Sequence, residues 1–187
     1  MSRFAVSDVT ATTMLNRFKQ LMHMSLTDEP RGALAHPILG RLAPLDDDPS
    51  TLAGSIGFGT QAVALRITAD DSELAAALEL AVSAAQSLLV LDARARILVA
   101  ETSLHSYNDE WRFGTSLMAD GSAREFEKPA LTQEQFCAQL TLETIEASGA
   151  ACLTFWYQDG GLFWGHSHHV ASFDGLAMQD VRVSLLG

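Results

Sequence analysis

The chain has 187 residues, 48% of them hydrophobic and 19% charged. That is enough for one domain whose core needs neither disulfides nor a structural metal. With 12 Lys and Arg against 23 Asp and Glu, the formal charge is −11, which excludes nucleic acid and anionic membrane surfaces as expected partners and favours a basic protein.

Two cysteines, Cys137 and Cys152, form no C-x-x-C pair, as expected of a protein in a reducing compartment. Arg3, Asp8, Arg17 and Lys19 interrupt any apolar leader in residues 1–25, and the apolar runs are shorter than a membrane span. The expected location is the cytoplasm.

Residues 10–24 carry Met14, Leu15, Phe18, Leu21 and Met22 at helical spacing, with Thr10 as a cap. Residues 26–50 hold Pro30, Pro37, Pro44 and Pro49, four of the five prolines, and read as irregular because proline lacks an amide donor and fixes φ. Asp46, Asp47 and Asp48 there lack the spacing of a calcium loop. The organisation expected is an N-terminal helix with a Pro-rich extension over 1–50, followed by a domain over 51–187.

Residues 52–58 and 61–67 read as a hairpin, with Val63, Leu65 and Ile67 alternating against Ala62, Ala64 and Arg66, and with Gly57 and Gly59 at the bend. Asp70 and Glu73 resemble a capping box for a helix with Leu74, Leu78, Val82, Ala85 and Leu89 on one face. Asp92 is the expected cap of the next helix, in which Ile97, Glu101, Leu104 and Asn108 share a mixed stripe. Residues 114–131 read as loop, and Asn108-Asp109-Glu110-Trp111-Arg112 as the helix's end. Thr132 and Gln135 form a second capping box ahead of a short helix bearing Phe136 and Leu140.

The remainder reads as strands: 141–147, 151–157, 162–170 and a last one through Val181, Val183 and Leu185. Asp159-Gly160 is a strong two-residue turn signal. Such a turn sets Phe155 opposite Trp164 and Leu153 opposite His166, with Phe155, Trp164, His166 and His168 on one face and Trp156 and Phe163 on the other. The fold class expected is α+β, a mainly antiparallel sheet with helices packed on one face.

The segment 155–169 concentrates two tryptophans and three histidines. Its aromatics serve either as core anchors or as a recognition surface, and Trp111, Tyr157, Asp159, Trp164 and His166 are the candidate binding residues. His166 and His168, two apart on a strand, point the same way and are candidate metal ligands, with a third to come from His105, Asp109 or Asp174. The competing reading makes His166 a hydrogen-bonded sheet residue. There is no G-x-S-x-G elbow, and Gly54-Ser55-Ile56-Gly57-Phe58-Gly59 lacks phosphate-loop spacing. No catalytic residue and no cofactor are assigned.

Tyr107-Asn108-Asp109-Glu110-Trp111, the start Leu131-Thr132-Gln133-Glu134-Gln135-Phe136, and above all the run from Phe155 to Ser167 resemble an uncharacterised bacterial family, domain of unknown function 2262, from about residue 52 onward. The family pattern has an acidic residue near the position of Gly161 and an aliphatic one after the serine, where this chain has His168. The resemblance therefore carries over His166 alone, as a pattern residue without an assigned role, and implies no general H-x-H site. It implies no activity.

Three functions remain in competition. The first is a non-enzymatic acidic binding protein, comparable in class to immunity proteins that neutralise basic toxins. The second is a metal- or small-ligand-binding enzyme using His166 with His168 or His105. The third is a homo-oligomer packed through the N-terminal helix.

Overall fold

Strand β4 (Gln61–Thr68) shows how the sequence builds this fold. Val63, Leu65 and Ile67 are buried, while Ala62, Ala64 and Arg66 on the other face are exposed. This is the two-residue period of a sheet with one face in the core. It pairs with β3 (Thr51–Phe58) in the expected hairpin, Ile56 opposite Val63. A computed structural model describes residues 33–187; the amphipathic segment 10–24 lies outside them.

Residues 34–44 are not irregular. Leu34–His36 (β1) and Gly40–Pro44 (β2) form a hairpin that joins β3 through Ala43 and Ala53. Proline is tolerated because Pro37 sits in the turn and Pro44 at a strand end. His36 Nδ1 accepts the amides of Ile38 and Leu39 at 3.2 and 3.3 Å, and Leu39 and Leu42 are fully buried.

Helices α1 (Leu74–Gln86) and α2 (Leu88–Ser106) follow, broken at Ser87. The Asp70–Glu73 capping box does not form. Asp70 sits in a turn at φ 51° and Glu73 makes no side-chain cap bond. Nor does Asp92 cap α2, which begins a turn earlier and buries Asp92 within it. Along α1, Leu78 is buried as expected, but Leu89, placed on the same stripe, is on the next helix and exposed. The helix α2 closes in a π-helical turn, Tyr107–Trp111.

Most of residues 114–131, expected as loop, belongs to a hairpin of β5 (Phe113–Leu117) and β6 (Ala123–Glu127). The pattern concealed it because nearly every side chain is exposed, so no apolar face alternates. The capping box of α3 (Gln133–Gln139) forms as read: Thr132 Oγ1 accepts the Gln135 amide and the Gln135 side chain accepts the Thr132 amide.

Strands β7 (Thr141–Ser148), β8 (Cys152–Gln158), β9 (Ser167–Ser172) and β10 (Val181–Leu186) complete an eight-stranded sheet in the order β1-β2-β3-β4-β7-β8-β9-β10. All pairings are antiparallel except β4 with β7, which is parallel. With ten strands and three α-helices among the described residues, the fold is α+β and its sheet is mixed.

Candidate binding site at the aromatic loop

The expected tight turn at Asp159-Gly160 is absent. β8 runs to Gln158 and β9 starts at Ser167, leaving an eight-residue loop, 159–166. Across the gap Tyr157 faces His168, Trp156 faces His169 and Phe155 faces Val170. Phe155 therefore does not meet Trp164, nor does Leu153 meet His166, and Trp164 and His166 leave the strand for the loop.

The reason lies in the Asp159 side chain. It is 2% exposed and accepts three backbone amides: Gly161 and Leu162 on Oδ1 at 2.8 and 3.0 Å, and Phe163 on Oδ2 at 3.0 Å. A carboxylate taking three amides organises a wider loop than a type I′ turn allows. Gly160, Gly161 and Gly165 supply the positive φ values the path needs. Leu162 and Phe163 fold under into the core.

Trp164 goes the other way. It holds φ 55°, uncommon for a residue with a bulky side chain, and the residue is 56% exposed. Against it stands Trp111, at the end of the π-helical turn, a local form frequent at functional sites. The Trp111 ring meets Phe163 at 5.1 Å, Trp164 at 5.3 Å and His166 at 5.3 Å, the last two edge-on. The His166 Nδ1–H donates to the Phe163 carbonyl at 2.5 Å, which fixes its ring. The β5–β6 hairpin borders the cluster at Gly114, where a Cβ would sit 3.2 Å from the Trp164 ring.

Two basic groups at this border, Arg112 and Lys128, already have partners. Arg112 binds the Asn108 and Lys128 carbonyls, pairs with Glu127 and lies over the Phe113 ring at 4.0 Å. Lys128 donates to the Gly161 carbonyl at 2.8 Å. Asp109, Glu110, Glu125 and Glu127 are exposed around it.

Beneath the loop is a second layer. His168 is fully buried, its ring edge-on to Phe163 at 5.1 Å and Phe136 at 6.1 Å, and neither ring nitrogen has a hydrogen-bond partner among the described residues. Its Nε2 stands 3.9 Å from Asp159 Oδ2. Burial pushes its pKa below the ordinary histidine value, against the pull of Asp159. Deeper still, Tyr157 donates to Asp92 Oδ1 at 2.9 Å, and Arg96 Nε donates to Asp92 Oδ2 at 2.8 Å. Burial, reinforced by Asp92, raises the Tyr157 pKa so far that the phenol stays neutral.

Of the candidate residues, the structure thus gathers Trp111, Trp164 and His166 at the surface and sets Asp159 under them, but buries Tyr157 in the core. The other candidate ligands are engaged elsewhere. His105 pairs with Asp109 at 3.2 Å, beside an open cleft of about 350 Å³ that His105 lines with Glu101, Asn108 and Gln133. Asp174 accepts the Ser172 hydroxyl and the Gln179 and Asp180 amides. Among the described residues no three His, Cys, Asp or Glu side chains converge as a metal site. Sequence reasoning missed Asp92, Arg96 and Phe163; the Asp92–Arg96 spacing of four was the available signal for the first two.

An α+β sheet protein with an aromatic loop over a buried carboxylate is the class this geometry defines. The chain belongs to the family designated domain of unknown function 2262, described as uncharacterised protein conserved in bacteria, over residues 36–175. The match starts inside β1, earlier than the expected boundary near residue 52, and takes in the whole aromatic loop. No curated protein and no solved structure matches the chain.

Proposed function

We propose that the protein acts by binding rather than by catalysis, and that its partner is a basic polypeptide gripped at Trp164, Trp111 and His166. The observation that carries this reading is Trp164, a large aromatic held out in water on a strained backbone by a loop anchored from below. Tryptophan faces attract guanidinium and ammonium groups, more so once desolvated, and tryptophan is enriched at binding hot spots. A net charge of −11 steers a cationic partner toward the molecule. Arg112 and Lys128 are occupied by internal partners, Glu127 and Asp109 are paired with Arg112 and His105, and Glu110 and Glu125 are the rim carboxylates that act outward. Immunity proteins offer an analogy of class only.

Two companion readings complete the proposal. The three helices cover one face of the sheet, supported by the alternating burial of β4 and by the Tyr157–Asp92 bond. The setting is the cytoplasm, supported by the free thiols of Cys137 and Cys152.

The test is a titration with an arginine-rich peptide, read by intrinsic tryptophan fluorescence, with a glutamate-rich peptide as control. The basic peptide should bind and weaken as salt rises. Trp164→Ala should loosen it by about thirtyfold, the scale of a hot-spot residue. Equal affinity of wild type and Trp164→Ala, or equal binding of both peptides, would refute the reading.

A further inference from the structure

His168 is an expensive residue for its place. A neutral imidazole buried without a hydrogen bond forfeits its hydration on both nitrogens. A phenylalanine would fill the same aromatic pocket without that cost. What the imidazole adds is a proton site beside the one group that organises the loop.

We propose that loop 159–166 is a proton-sensitive latch: charging His168 draws the Asp159 carboxylate off the loop amides and releases Trp164. The two side chains stand 3.9 Å apart, too far for a hydrogen bond while the imidazole is neutral. A charged His168 in this apolar pocket requires a close counter-ion. Asp159 Oδ2 must then approach to about 2.9 Å. That same oxygen accepts the Phe163 amide, so the approach lengthens the bond that holds the residue next to Trp164.

Among the described residues, no other group offers the charge an alternative. Tyr157, directly opposite on β8, donates its hydroxyl to Asp92 and stays neutral. Behind it, the Asp92 carboxylate is engaged by Arg96. On the other side, β10 presents Leu185 in register with His168. From α3 comes Phe136, with Tyr107 of the π-helical turn behind it, its hydroxyl on the Pro129 carbonyl. In the loop itself His166 works against a charge on His168.

The latch regulates the surface proposed above and depends on that reading for its use, but not for its test. The protein alone is titrated from pH 8 to pH 5, following the Trp164 indole N–H resonance, the Phe163 amide exchange rate and the His168 ring resonances. The indole and the amide should move together with His168, with a midpoint below the ordinary value of about 6.5. The transition should vanish in His168→Phe and in Asp159→Asn and persist in His166→Asn, which removes the imidazole next to Trp111. A flat indole resonance while His168 titrates overturns the latch, as do survival of the transition in Asp159→Asn and unfolding of the wild type with no earlier movement. Should His168→Phe fail to fold, coincidence of the wild-type midpoints and the Asp159→Asn result decide the matter. Because no partner is present, these outcomes are independent of whether arginine-rich chains bind.

Discussion

Tyr157 on β8 and Asp92 on α2 lie 65 positions apart in the chain and share a hydrogen bond inside the core. The same carboxylate takes Arg96, whose other nitrogen binds the carbonyls of Cys137 and Leu140 at the end of α3. One buried anion thus connects sheet, long helix and short helix.

Removing the anion should cost far more than removing the phenol. Tyr157→Phe deletes one bond but leaves Asp92 paired with Arg96, at a cost of about 1–2 kcal/mol. Asp92→Ala leaves a largely buried guanidinium without its counter-charge, at a cost of about 3 kcal/mol or more. Urea unfolding of the two variants measures the difference, and equal losses would disprove the arrangement.

Stability should fall as pH drops below the ordinary histidine value. Burial depresses the pKa of His168 in the folded chain, so the unfolded chain binds the proton more readily. The loss begins near pH 6.5, where the unfolded imidazole titrates, and continues down to the folded value. His169, also depressed by burial first, adds in the same direction. His168→Phe should flatten the pH dependence of unfolding over this range by up to one proton. An unchanged slope would mean that His168 is solvated in solution.

Two glycines on β3 should behave in opposite ways. A Cβ on Gly54 would sit 2.7 Å from the Arg41 carbonyl oxygen, which belongs to the backbone of β2 and cannot turn aside. Gly54→Ala should therefore destabilise the fold by about 1–3 kcal/mol. A Cβ on Gly57 meets nothing within 4 Å. Gly57→Ala should be neutral or stabilising by up to about 1 kcal/mol, because it restricts the unfolded chain. Thermal unfolding of the pair checks both signs.

The legible parts of the fold were those whose signal is local. The β3–β4 hairpin showed in its alternation, and α3 in a capping box that forms atom for atom. The parts that escaped depend on partners distant in sequence. The β1–β2 hairpin hides behind prolines placed at its turn and its end, where they interrupt nothing. The β5–β6 hairpin has no buried face to leave a pattern. The site follows the same division. Trp111, Trp164 and His166 were legible as aromatic and polar residues of one unusual run plus a helix end. The loop itself was not, because the Asp-Gly pair that signals a tight turn is here read by the aspartate's own side chain, which takes three amides and overrides the backbone preference.

The parallel pairing of β4 with β7 has a consequence for how the chain must fold. Strands β1–β4 form one meander and β7–β10 another, each assembled from neighbours in sequence. Among the described residues the two meanders pair along this seam, where Ala64 pairs with Thr144 and Thr68 with Ser148. Everything from α1 to α3 lies between the two strands that form it. Closing so long an intervening segment carries an entropic cost that local contacts cannot offset early. The seam should therefore form late. A chain emerging from the ribosome would expose the edge of β4, apolar on one face, until its partner strand has been made.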